Sequence, residues 1–169
     1  MLNNTQEALE DFKRYVIQQA RTNLTKGKRN VSKDLYNSLQ GFVEKSPAGF
    51  RLYFEMEDYG MFLDKGVRGK QAYYADEATS SSPFSYKDRM PPIKPLAEWA
   101  KKRNIRLRDD KGKFKKGNYN TIGFLIARSI FDKGMKASLF FTKPFERAFK
   151  RLPEDLLEAF GNDINKMLQ

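Results

Sequence analysis

The chain has 169 residues, 40% of them hydrophobic and 14% aromatic against 31% charged, which suits one folded domain spanning 1–169 and excludes a wholly disordered chain. It contains no cysteine and no histidine, so a disulfide framework, a thiolate nucleophile, Cys-ligated zinc, the commonest general base and the commonest transition-metal ligand are all excluded. With 32 Lys and Arg against 21 Asp and Glu, the net charge of +11 points to an anionic neighbour, most often nucleic acid, or to a solvated basic surface.

The opening "MLNNTQEALEDFKRYVIQQA" lacks the basic and apolar regions of a secretory signal, and no apolar run reaches the ~20 residues that cross a bilayer. A soluble, cytoplasmic chain is expected. Leu9, Phe12, Val16, Ala20 and Leu24 recur at spacings of three and four, which predicts a helix over 5–24 with Thr5 as its N-cap. Ser32 is placed to cap a short helical turn that carries Leu35 and Leu39.

From residue 41 the period changes to two: Phe50, Leu52, Phe54 and Met56 fall on one side, Arg51, Tyr53 and Glu55 on the other. With "SPAG" as a tight turn, 41–57 reads as a β-hairpin. A helical turn over Tyr59 to Leu63 then opens a long loop, about 66–92, rich in Ser, Gly and Pro. A Pro-led helix from near residue 94 carries Ile93, Leu96, Trp99 or Ala100, and Ile105. A basic loop, about 104–120, separates it from a helix with the stripe Ile122, Leu125, Ile126, Ser129 and Ile130, ended by Gly134 as a left-handed cap.

Thr142 is the expected cap of a helix with Phe145, Phe149 and Leu152 facing inward, and Pro153 starts a last helix with Leu156, Phe160, Ile164 and Met167 on its apolar side. Gly161 weakens that helix and predicts a frayed end. Because an isolated hairpin is marginal, a further strand is expected around Ala137 to Phe141. The fold class is therefore α+β, a small antiparallel sheet packed by about four to six helices.

Few motifs carry chemistry. "TKGKRN", "GVRGK" and "DKGKFKKG" do not match the phosphate-loop pattern. Asp76, Glu77, Asp109 and Asp110 read as solvated loop acids, and Ser80, Ser81 and Ser82 as a flexible loop without an activating histidine. No catalytic, metal or cofactor site is expected, and an enzyme with a carboxylate-only site is the weakest reading. The basic run Lys101, Lys102, Arg103, Arg106, Arg108, Lys111, Lys113, Lys115 and Lys116 is the strongest signal, suited to sequence-independent phosphate contact, to a place near DNA inside an assembly, or to a merely solvated loop, and no base-reading motif accompanies it. Phe140 and Phe141 are adjacent and cannot both point inward from a strand, so one of them is expected to face a partner.

The order of these segments, with "KDLYNSL", "YGMFLDKGVRG", "PPIKPLAEWAKKRNI", "IGFLIARSIFDKG" and "LFFTKPFERAF", resembles the tail-completion and neck proteins of long-tailed bacteriophages. The family element "Y-[AG]-x-[FY]-[LV]-[DE]-x-G" is matched by Tyr59, Gly60, Met61, Phe62, Leu63, Asp64, Lys65 and Gly66, and its late "PF-x-x-A" by Pro144, Phe145, Glu146, Arg147 and Ala148. The usual turn ahead of the hairpin stands here as "NVSKDLYNSL", without its Pro or Thr-Gly.

The resemblance implies a virion structural protein that forms a ring, sixfold or twelvefold, around the DNA channel. Its implied neighbours are further copies, portal or adaptor, and tail-tube or tail-terminator proteins, with genome DNA in the lumen and no membrane. It would sit at the neck or tail end, and in the host cytoplasm before assembly. The expected interface residues are Tyr59, Phe62, Leu63, Lys65, Arg68, Lys70, Phe84, Tyr86, Phe140 and Phe141, with the basic run facing the channel. The alternative is a freestanding, nonspecific nucleic-acid-binding protein.

Overall fold

The computed structural model describes residues 2–29, 32–71, 73–115 and 117–168. In chain order its elements are α1 (Asn3–Lys26), α2 (Asp34–Ser38), β1 (Gln40–Ser46), β2 (Gly49–Glu55), α3 (Tyr59–Lys65), β3 (Val67–Arg68), α4 (Glu77–Ser80), α5 (Ile93–Lys102), β4 (Leu107–Arg108), β5 (Phe114–Lys115), α6 (Tyr119–Lys133), β6 (Gly134–Met135), α7 (Thr142–Phe149) and α8 (Leu152–Met167). The fold is α+β. It comprises two compact units, Met1–Gly60 with Leu139–Gln169, and Met61–Ser138.

In the first unit the expected stripe of α1 is the buried one: Leu9, Phe12, Val16, Ala20 and Leu24 all lie inside. Leu9, Phe12 and Val16 meet the hairpin through Val43, Phe50, Leu52 and Phe54, and meet α7 and α8 through Phe145, Ala148, Leu152 and Leu156. β1 and β2 pair antiparallel from Gln40↔Glu55 to Ser46↔Gly49, leaving Pro47 and Ala48 as a two-residue turn. Edge-to-face rings tie the layers, Phe12 to Phe145 at 5.6 Å and Phe54 to Phe141 at 5.2 Å.

Three caps differ from expectation. α1 begins at Asn3, ahead of Thr5, and its first amides are held by the Asp163 carboxylate of α8. Lys33, in the left-handed region, rather than Ser32 precedes α2. Phe141 rather than Thr142 stands at the N-cap of α7.

The apolar face of α8 is also reassigned. Leu152, Ala159 and Asp163 are buried and Leu156 packs on the core, whereas Phe160, Ile164 and Met167 are exposed. On α7, Phe149 likewise faces solvent rather than the core. Gly161 lies inside α8, which runs on through Met167.

The expected strand at Ala137–Phe141 does not form. Leu139 adopts φ +51, which breaks an extended run, and the segment is held by single hydrogen bonds instead: Ala137 N donates to Thr79 Oγ1, and Asn23 Nδ2 donates to Phe140 O. The additional strands are two-residue antiparallel pairs, β3 with β6 and β4 with β5, and neither joins the hairpin.

In the second unit, α5 and α6 approach through small residues. Ala97, Ala100 and Ala127 are buried, and a Cβ on Gly123 would lie 2.9 Å from the Ala97 Cβ and from the Ile93 carbonyl oxygen. The predicted stripes hold in part: Ala100 on α5 and Ile122 on α6 are buried as expected, whereas Ile93, Trp99 and Leu125 are exposed. Gly134 ends α6 as expected, but at φ +85 and ψ −168, outside the left-handed helical region.

Among the described residues of the stretch 66–86, the backbone is pinned at several points. Arg68 N donates to Phe84 O and Tyr86 N to Arg68 O, while Lys70 N and Gln71 N donate to the Phe131 and Asp132 carbonyls. Asp76 caps α4 by accepting from the Thr79 amide and hydroxyl, which hold its carboxyl below the usual carboxylate range. Ser82, expected in a flexible loop, is buried and donates to the Gly66 carbonyl at 2.7 Å.

Candidate functional site

The two units divide the charge unequally. Residues 61–138 carry 18 Lys and Arg against 8 Asp and Glu, a surplus of ten, whereas the rest of the chain carries 14 against 13. The excess therefore belongs almost wholly to one unit.

Within that unit it concentrates where α5 runs into the β4–β5 hairpin. Lys101 and Lys102 close α5, Arg103 caps it, Arg106 and Arg108 lead into and lie on β4, Lys111 and Lys113 occupy the turn, and Lys115 lies on β5. All eight are exposed, and Lys116 lies outside the described residues. The basic run is thus a short β-ribbon with a turn, not an irregular loop.

Asp109 organises that turn. Its amide donates to the Lys113 carbonyl at 2.8 Å, and its Oδ1 accepts from the Lys111 and Lys113 amides at 3.0 and 2.8 Å, while Gly112 supplies φ +77. The residue expected as a solvated loop acid is a turn-former.

Strand register decides which side chains share a face. Arg108 stands opposite Phe114, and Arg106 is two residues before Arg108, so these three lie on one side of the ribbon. Leu107 is on the other side, half-buried, close enough to Gly117 that a Cβ there would meet it at 2.7 Å. Phe114 is 63% exposed, with the Arg108 guanidinium 4.5 Å and the Arg106 guanidinium 5.7 Å from its ring centroid. Arg103 repeats the arrangement over Trp99 at 5.4 Å. Such exposed pairs are worth about 0.5–1 kcal/mol each, enough to orient the rings but not to demand a Phe at that position.

Comparison with protein-family models, with curated proteins and with solved structures finds no match to this chain. Its surface chemistry therefore carries the functional reading.

The residues expected at protein interfaces fall into three groups. Tyr59 and Phe62 are exposed on α3, Phe62 lying 4.5 Å from the half-buried Phe84 ring, and Arg68 and Lys70 are exposed on a backbone that is already paired. Leu63, Lys65 and Tyr86 are half-buried, and burial pushes the Tyr59 and Tyr86 phenols up. Phe140 and Phe141 require correction as outward-facing residues: Phe140 is 2% exposed and belongs to the core, and Phe141 packs against Phe54 and Phe145.

The surface that sequence reasoning misses is on α8. Leu157, Phe160, Ile164 and Met167 recur at spacings of three and four on its outer side, and Leu157 is 74% exposed. Their periodicity is visible in the sequence, but α8 carries a second stripe, Leu152, Leu156, Ala159 and Asp163, and that one is inside.

An open groove of about 790 Å³ runs along α1, lined by Lys13, Arg14, Ile17, Arg21, Lys26 and Tyr36. Arg21 there is structural, donating to the Tyr36 and Leu39 carbonyls. Among the described residues no three acids converge where a metal ion would sit, and no helix is long and apolar enough to cross a membrane.

Proposed function

We propose that the protein is a structural component of a tailed-phage virion, acting in tail completion or head-tail joining as one subunit of a ring around the DNA channel. The observation that carries this reading is the outward stripe of α8, Leu157, Phe160, Ile164 and Met167. A helix face that leaves four large apolar side chains in water is a surface for a protein neighbour. The ordered motifs from "KDLYNSL" to "PFERAF" supply the kind of assembly, and the surplus of ten positive charges in residues 61–138 suits a unit beside a polyanion.

In this role the contacts are heterologous, one face of a subunit on a different face of the next, and they close into a ring of sixfold or twelvefold symmetry. Tyr59, Phe62, Arg68 and Lys70 join the α8 stripe as surfaces for further copies or for portal, adaptor, tail-tube or tail-terminator proteins. The chain has a structural rather than enzymatic role, in the host cytoplasm before assembly and in the neck or tail end after it.

The test is a negative-stain micrograph of lysate from a phage or prophage lacking the gene. Full heads beside unattached or misterminated tails are the expected result, and normal infectious particles would overturn the reading. The basic ribbon favours one rival, a freestanding nucleic-acid-binding protein. That rival requires micromolar or tighter duplex binding near physiological salt, with a log-log salt slope of several units.

A further inference from the structure

We infer that the segment from Trp99 to Lys115 binds single-stranded nucleic acid, with Phe114 and Trp99 as the surfaces on which unpaired bases stack. The inference deepens the proposed DNA-channel role and rests on it only for the polyanion being nucleic acid.

Three observations lead there. The segment carries eight exposed cations against Asp109 and Asp110, with Asp109 engaged in the turn, so its surface is strongly positive. Phe114 has no place in a core: it is 63% exposed, on the side of the ribbon opposite the half-buried Leu107. Cations and rings also alternate, with Arg103 over Trp99 and with Arg106 and Arg108 over Phe114.

An undistorted duplex turns its phosphates outward and keeps its bases stacked within, so cations meet it while an exposed phenyl ring finds no free base face. A single strand offers phosphates and base faces together. Cationic grooves that bind it are interleaved with aromatic rings for that reason, and stacking is tolerant of sequence because every base has a π-face. On binding, the base takes the ring face that a guanidinium covers in the free protein, and the released guanidinium moves to a phosphate. The arginines thus keep the rings oriented and shielded until the ligand arrives.

Trp99 is the one tryptophan of the chain, so intrinsic fluorescence reports on the site directly. The full-length protein is titrated with an oligo-dT of about 16 nucleotides and with a duplex of equal length at the same salt. The single strand is expected to quench Trp99 and to bind about tenfold tighter than the duplex. Phe114→Leu, which keeps an apolar side chain of similar size but loses the ring, is expected to weaken single-strand binding about tenfold while leaving duplex binding and its salt slope unchanged.

Equal affinity for the two forms, no binding to either, or an unaltered Phe114→Leu protein would overturn the site. Such a result leaves the virion role standing. Conversely, normal particles from the gene deletion would remove the virion role without touching a measured preference for single strands.

Discussion

The Asp163 carboxylate grips Thr5 from 158 positions away: its Oδ2 accepts from the Thr5 amide at 2.9 Å and from the Thr5 hydroxyl at 2.8 Å. Oδ1 does the same for the amide and side-chain nitrogen of Asn4, both at 3.0 Å. The first amides of a helix have no partner within it, and a negative charge is favoured at that end. A residue of α8 thus caps α1, and one carboxylate joins the two longest helices of the described chain.

This cap sets an acid limit. Burial pushes the Asp163 carboxyl up, but the donors of Thr5 and Asn4 outweigh it and hold the group at about 2, below its ordinary 3.8. Because the folded value is the lower one, the contribution to stability is present above pH 3.8 and is lost as pH falls from there through about 2. Asp163→Asn is expected to lower the urea midpoint at neutral pH with an unchanged slope, and its deficit should shrink across that acid window. Urea titrations of both proteins at a series of pH values check this; a deficit constant with pH would refute the charge-based account.

Two glycines should respond in opposite directions to alanine. At Gly161 an added Cβ meets nothing within 4 Å, in the middle of α8, so Gly161→Ala should stabilise by about 0.5–1 kcal/mol. At Gly134, φ is +85 and a Cβ would lie 2.2 Å from the Val67 carbonyl oxygen. Gly134→Ala should cost about 3 kcal/mol or more, by strain and by opening the β3–β6 pair. Thermal melts followed by circular dichroism separate the two.

Phe140 and Phe114 differ as sharply, though both are phenylalanines. Phe140→Ala empties a fully enclosed site and should cost about 3–5 kcal/mol, whereas Phe114→Ala removes an exposed ring and should stay within about 0.5 kcal/mol of the parent. Chemical denaturation measures both, and comparable losses would contradict the assignment of Phe114 to the surface.

The α8 stripe should matter for association and not for folding. Leu157→Lys and Phe160→Lys are expected to leave the melting temperature of the isolated chain within a few degrees, since both side chains are exposed, and to abolish incorporation into particles. Complementation of the deleted gene with each variant, followed by assay of purified particles for the protein, provides the check. Normal incorporation would exclude α8 from the assembly surface.

What is legible in the sequence follows from how many ways each element can be read. α1 has one apolar stripe, so periodicity alone places Leu9 through Leu24 inside, and the alternation at Phe50, Leu52 and Phe54 has one core-facing reading. α8 has two stripes, and the choice falls to the one containing Ala159 and Asp163, because small size and a capping contact outweigh apolar bulk there. On α5 and α6 the deciding residues include Ala97, Gly123 and Ala127, which look like spacers in a periodicity count yet allow a close backbone approach, while Ala100, one of the two residues the spacing offers, is the buried one. The cations of the basic run are visible from composition alone. Phe114 beside Arg108 is not, because that pairing needs the register of strands only two residues long.

The first unit is assembled from two stretches, 1–60 and 139–169, with residues 61–138 between them. During synthesis α1 leaves the ribosome before α8, so Leu9, Phe12 and Val16 wait for Leu152 and Leu156, and its amides wait for Asp163. The inserted unit, whose residues are all made by then, is free to fold before the unit that encloses it in sequence is complete. Premature termination anywhere before α8 would therefore release α1 with part of its apolar face uncovered, a form that quality-control proteases remove.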